Sequence, residues 1–240
     1  MTSAAGSPQA EAEQDAIVLF WDIDGTLLTT GRAGVFAWEA AIEEVLGIDV
    51  SFQDYPTSGL TDVEIARLLV EKTARAPDPE RAARVLHHYE QLLPSRLHYR
   101  RGEVLPGVRE ILDAVRERDD VVSILLTGNT SAGAAAKLTH YDLFGYFGHG
   151  AFADGTEDRP SIARRALEIA TEQLGRLDSS QTFVIGDTPH DIGAGDAIGA
   201  RTVAVATGTY SLEQLAEHEP WWLLGQLPGP VEFLSRLQAK

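Results

Sequence analysis

Three short clusters gather residues that could do chemistry together: Asp22-Ile23-Asp24-Gly25-Thr26, Thr127-Gly128-Asn129-Thr130 and Gly186-Asp187-Thr188-Pro189-His190-Asp191. Aspartates two apart in an extended chain point to the same side, about 6 to 7 Å from each other. One of such a pair can attack as a nucleophile while the other moves protons. The plainer reading makes Asp22 and Asp24 turn formers and helix caps. Against it, Asp-x-Asp-Gly-Thr arises by chance in only roughly a few chains per thousand of this length. Gly25 lets the backbone turn with positive φ or approach a ligand closely. Thr127 offers a hydroxyl and Gly128 an unshielded backbone, and the amides of Gly128 and Asn129 stand at a helix start, where phosphate binds well. The same residues also make an ordinary turn. Asp187 and Asp191 could each cap the helix that follows, but together, after an apolar run, they read as cation ligands.

Whether the clusters meet depends on the elements that carry them. Ala16 to Trp21 is an unbroken apolar run, as a strand buried on both faces of a parallel sheet requires. Similar runs, Val121–Leu126, Thr182–Ile185 and Thr202–Val205, each follow a helical pattern. Between 31 and 47 the apolar residues recur at three- and four-residue spacing. Thr61-x-x-Glu64 has capping-box form, and Asp78-Pro79 opens a third helix. Further helices are expected after Pro106-Gly107, across the Ala-rich stretch that carries Lys137, over 162–174, 192–198 and 230–237, and after Ser211-x-x-Gln214. Strands alternating with helices predict an α/β fold with a doubly wound parallel sheet, interrupted after its first strand by an all-helical insert over 32–104 without a strand. Ligands in such sheets lie beyond the carboxyl ends of the strands. That edge would receive all three clusters.

Four converging carboxylates repel one another unless a cation joins them. There are no cysteines among the 240 residues and no histidine pair at ligand spacing, so an oxygen-liganded Mg²⁺ is the expected ion. The absence of cysteine also excludes disulfides and a thiol nucleophile. The net charge of −16 argues against nucleic acid as a partner, since polymer binding draws on Lys and Arg. No run reaches membrane-spanning length, and residues 1–15 are small, polar and acidic, a frayed tail rather than a signal peptide. The cytoplasm is the expected compartment.

Taken together, DIDGT at 22–26, LLTGNT at 125–130, GDTPHD at 186–191 and AGDAIGARTVAVATG at 194–208 resemble the haloacid-dehalogenase superfamily, in its phosphoglycolate-phosphatase-like branch with a helical cap. The resemblance covers residues 16 to 237. It implies an α/β core of 16–31 and 105–240 and a cap of 32–104. It also implies a Mg²⁺-dependent phosphatase acting on a small phosphorylated metabolite, with 2-phosphoglycolate as one candidate. Asp22 would be the nucleophile that forms an aspartyl-phosphate, and Asp24 the acid and base. Mg²⁺ would sit on the Asp22 carboxylate, the Asp24 carbonyl and Asp187, with Asp191 in support. Thr127, Gly128 and Asn129 would hold the phosphoryl oxygens.

One position departs from the family. Where members usually carry a Lys before a Pro, this chain has Arg159-Pro160. Arg159 is therefore the first choice for the active-site cation, with Arg164 and Lys137 behind it. Asp24 favours phosphoryl transfer over dehalogenation, because the dehalogenases lack that residue. Lys72, the insert's lysine, reads as a surface charge and not as a Schiff-base former. From the insert, Arg32, Gly59 and Thr61 are candidate substrate contacts, Thr61 being explained equally well by helix capping. His87, His88, Arg96, His98, Tyr99 and Arg100 could face an anion but read mostly as surface residues. Trp221-Trp222 reads as packing, with an interface as the lesser option. A phosphomutase, or a binding module that kept the fold without catalysis, are the alternative functions. The oligomeric state is open.

Overall fold

The first strand, β1 (Ile17–Trp21), is buried throughout and sits in the middle of the molecule. Its side chains alternate between two separate cores: Leu19 and Trp21 pack on one face with Ile23 and Phe183, Val18 and Phe20 on the other with Ile124 and Val184. Two covered faces are why the sequence shows no polar alternation here. Truncating Phe20 to Ala would cost on the order of 3–5 kcal/mol.

The structure, a computed structural model, describes residues 16–239 apart from 53, 54, 56, 75, 100, 156 and 157. The expected frayed tail and Arg100 lie outside the described residues. After β1 come β2 (Leu28–Thr29), the helices α1 (Ala33–Leu46), α2 (Asp62–Ala74) and α3 (Pro79–Leu97), and β3 (Glu103–Val104). There follow α4 (Val108–Arg116), β4 (Val121–Leu126), α5 (Ser131–His140), β5 (Gly150–Ala151), α6 (Arg159–Leu174), β6 (Thr182–Gly186) and α7 (Pro189–Ile198). The chain ends with β7 (Arg201–Val205), α8 (Leu212–Ala216), β8 (Trp222–Leu224) and α9 (Pro230–Gln238). The main sheet runs β5-β4-β1-β6-β7-β8, with every pairing parallel. It is the doubly wound α/β sheet expected.

Register does the positioning. Trp21 pairs with Leu125 on one side and Ile185 on the other, so the three central strands end level. One residue further on stand Asp22, Leu126 and Gly186, followed at once by Thr127 and Asp187.

The insert differs from expectation at its end. Glu103 and Val104 form a strand that pairs antiparallel with Thr29 and Leu28. Two residues are too few for a sequence period to show, which is why β3, like β2 and β5, left no signal. Caps formed as read: Asp78 accepts from Arg81 N (3.0 Å), and Thr61 and Glu64 exchange bonds of 3.2 and 2.8 Å. Trp221 and Trp222 pack against Phe183 and Phe233.

Candidate active site

Asp22 leaves β1 with its carboxylate almost buried, at 6% exposure. Its Oδ1 lies 2.9 Å from Arg159 Nη2, an ion pair without an aligned hydrogen bond on that oxygen. Arg159 stands at the start of α6, where Asp158 caps the helix and Pro160 fits the first turn. The same Nη2 also contacts Asp191 Oδ1. Burial pushes the Asp22 carboxyl up to about 7 against the pull of Arg159, with Asp191 and Asp24 adding to the rise and a Thr127 hydrogen bond opposing it. Burial alone would pull the Arg159 guanidinium down, but Asp191 and Asp22 hold it above its ordinary value.

Asp24 faces a different cation. Its Oδ2 accepts from Lys137 Nζ at 2.5 Å and from Asn129 Nδ2 at 2.9 Å. Lys137 also donates to Asn129 Oδ1 at 2.5 Å, and Asn129 Nδ2 to Thr127 Oγ1 at 2.8 Å. The sequence choice among three cations thus resolves unexpectedly. Arg159 and Lys137 are both in the site, while Arg164 is exposed beside Ser161 and Asp158, outside it. Lys137 could have been found: Gly133, Ala134, Lys137 and Leu138 form the buried stripe of α5, and a lysine in such a stripe needs a partner.

Asp187 is the poorly compensated member. It is 3% exposed, and its single side-chain hydrogen bond among the described residues comes from Thr26 Oγ1 at a long 3.3 Å. A side chain on Gly25 (φ +80°) would strike its Oδ2 at 2.4 Å, and one on Gly208 at 1.7 Å, so both glycines make room for this carboxylate. Burial, then Asp191, Asp22 and Asp24, raise its carboxyl well above the usual range. Oxygens of Asp22, Asp187 and Asp191 lie within 4.8 Å of one another. Three buried carboxylates against one guanidinium are a donor set that suits a divalent cation. Asp191 serves both readings at once. Its Oδ2 accepts from Thr188 N (3.0 Å) and Thr188 Oγ1 (2.8 Å) in a capping box, which leaves Asp22 and Asp187 as the freer ligands.

These groups line a cavity of about 480 Å³ between the sheet edge and the helical insert. Asp22, Asp24, Gly128, Asn129, Lys137, Arg159 and Asp187 form its floor. Thr127 is fully buried beneath it. The insert supplies apolar walls from Val35, Trp38, Phe52 and Ile65, together with Gly59, Leu60 and Asp62. Arg32 lines the cavity from a left-handed backbone (φ 71°), with its guanidinium over the Phe36 ring. Thr61 is fully buried, and its hydroxyl is spent on Glu64 N. None of His87, His88, Arg96, His98 and Tyr99 lines this cavity, and Lys72 is exposed on α2.

Residues 18–199 match the family described as haloacid dehalogenase-like hydrolase. The chain belongs to the haloacid dehalogenase-like hydrolases. Among relatives of this hydrolase, the "Probable phosphatase IndB" of Dickeya dadantii (strain 3937) is 26% identical over 209 residues, 85% of this chain and 86% of that protein. A predicted phosphoglycolate phosphatase from Haemophilus somnus 129PT has the same fold, at TM-score 0.70 and 17% identity over 93% of this chain and 99% of that one. A hydrolase from Pseudomonas syringae superposes at TM-score 0.69, 21% identical over 92% and 97%. No helix among the described residues of this haloacid dehalogenase-like hydrolase is long and apolar enough to cross a membrane.

Proposed function

We propose that this hydrolase is a Mg²⁺-dependent phosphatase that cleaves a small phosphomonoester through an aspartyl-phosphate on Asp22. One observation carries the reading. Two aspartates separated by one residue open into the same cavity with separate partners, Arg159 for Asp22 and Lys137 with Asn129 for Asp24. Separate partners suit separate tasks. The names of two similar proteins, a probable phosphatase and a predicted phosphoglycolate phosphatase, agree with it.

In this reading the Asp22 carboxylate attacks phosphorus, and the bond to the leaving oxygen breaks as Asp24 gives that oxygen a proton. Lys137 and Asn129 both hold Oδ2, so the proton would travel on Oδ1, which has no hydrogen bond among the described residues. Water then attacks phosphorus and gives a proton to Asp24 as the bond from Asp22 to phosphorus breaks, freeing the Asp22 carboxylate and inorganic phosphate. Thr127 and the Gly128 and Asn129 amides would hold the phosphoryl oxygens. Asp22, Asp187 and the Asp24 carbonyl would bind Mg²⁺, with Asp191 supporting, and the ion would neutralise charge on the transferring group. The helical insert would act as the cap that excludes water. Arg32 is the cavity-lining cation with no carboxylate partner among the described residues, and it would meet an anionic leaving group such as the carboxylate of phosphoglycolate.

The test is hydrolysis of p-nitrophenyl phosphate and a panel of phosphorylated metabolites, phosphoglycolate among them, with MgCl₂ or with EDTA. Wild-type turnover should vanish in EDTA, return with Mg²⁺, and fall to background in Asp22→Asn. Equal turnover by wild type and Asp22→Asn would overturn the proposal.

A further inference from the structure

The loop that opens α2 touches two of the three core clusters, 127–130 and 186–191, and the turn at Thr209. Ser58 Oγ lies 2.7 Å from Thr209 Oγ1, and Gly59 packs so closely on His190 that a side chain there would meet the ring at 2.3 Å. Leu60 and Thr61 crowd Gly128, where a Cβ would lie 3.1 Å from Leu60 O and 3.2 Å from Thr61 Cα, with Arg159 Nη1 nearer still at 2.7 Å. The contacts of the next residue, Asp62, are of another kind. Asp62 N donates to Gly128 O at 2.7 Å, and Asp62 Oδ2 accepts from Thr130 N at 2.9 Å. These bonds bracket Asn129, the residue whose amide holds Asp24, Lys137 and Thr127.

Each bond settles a group that would otherwise lack a partner. The N–H of Asp62 is among the first of α2, which no carbonyl of its own helix can accept. The N–H of Thr130 precedes the first turn of α5, and that residue is 3% exposed. Asp62 is itself 5% exposed and belongs to the insert, whereas the peptides it grips belong to the sheet edge. Burying an unmet amide costs enough to shift such a loop.

We propose that Asp62 is a positioning residue through which docking of the helical insert sets the 128–130 peptides, and with them Asn129 and Asp24, so that turnover requires the docked insert. This rests on the phosphatase reading above for its catalytic part. A merely structural aspartate would change stability and leave turnover per folded molecule alone. The positioning role instead predicts a split. In Asp62→Ala, kcat for p-nitrophenyl phosphate should fall about 10- to 100-fold with KM within about threefold. Asp62→Asn keeps an acceptor oxygen for Thr130 N and should restore kcat to within about threefold of wild type. Hydrogen exchange over 127–131 should be at least about tenfold faster in Asp62→Ala than in wild type, and close to wild type in Asp62→Asn.

Unchanged kcat in a folded Asp62→Ala, or unchanged exchange over 127–131, overturns the proposal. So does an Asp62→Asn variant as impaired as Asp62→Ala, since the hydrogen bond would then not be what matters. If wild type hydrolyses no ester, the phosphatase reading fails separately, and the exchange measurement still decides whether Asp62 sets the loop.

Discussion

The site divides into two halves that differ in water and in charge. Around Asp22, three carboxylates (Asp22, Asp187, Asp191) face Arg159, and all four side chains are nearly or fully buried. Around Asp24, Lys137 binds that carboxylate directly and feels Asp62 beside it, and the Asp24 side chain is 42% exposed toward the cavity. A nucleophile gains from being kept dry and held by a cation, because competing water is excluded and its charge is set in advance. A proton carrier must meet both the leaving alcohol and the incoming water. The excess of negative charge in the first half is also where a divalent cation would bind.

The most damaging way to probe this division is to remove the guanidinium. Arg159→Ala strands Asp22 and Asp191 together, and breaking a buried pair typically costs about 3–5 kcal/mol. Urea unfolding should show a loss of that order, and kcat should fall by roughly a thousandfold. Arg159→Lys should recover part of both. An ammonium keeps the charge but lacks the planar fork. Wild-type turnover in Arg159→Ala would break the comparison at its stronger half.

A smaller and more selective effect is expected from Lys137→Met. Losing the grip on Asp24 Oδ2 disturbs proton delivery, which an alkyl leaving group needs and p-nitrophenolate hardly does. Turnover of an alkyl phosphate should fall about 10- to 100-fold, that of p-nitrophenyl phosphate only a few-fold. Equal losses on the two esters would mean that Lys137 serves the phosphoryl group, and the two halves would merge.

Much of this was legible in the sequence, for a physical reason. Buried strands of five or six residues leave an apolar run, and the polar residues that end them, Asp22, Thr127 and Asp187, mark one sheet edge. Two-residue strands such as β2, β3 and β5 leave none. Arg159 could be found because the family keeps a cation there. Lys137 is harder to find from the sequence, because the family motif provides for one cation while the fold has two carboxylates to satisfy. Asp62 stayed hidden for a different reason. An acid in the first turn of a helix is already explained by the helix dipole, so nothing local pointed to Thr130, 68 residues away.

Asp62 also offers the finest test of how the two halves are insulated. Burial pushes its carboxyl from the ordinary 3.8 up to about 6, with Lys137 and the Thr130 amide pulling down and Asp24 and Glu90 pushing up. The folded protein therefore holds the Asp62 proton more tightly than the unfolded chain does. Its contribution to stability is fully present below about pH 4 and is lost as pH rises through about 6, a swing on the order of 3 kcal/mol. Asp62→Asn has no such proton. Measured by urea unfolding in metal-free buffer, the stability of wild type relative to Asp62→Asn should fall between pH 4.5 and pH 7 and stay level above that. A flat difference would mean that Lys137 compensates the Asp62 charge fully, making it a second counter-ion in the Asp24 half. A fall as predicted means that Lys137 offsets the burial of Asp62 only in part, Asp24 being its stronger partner.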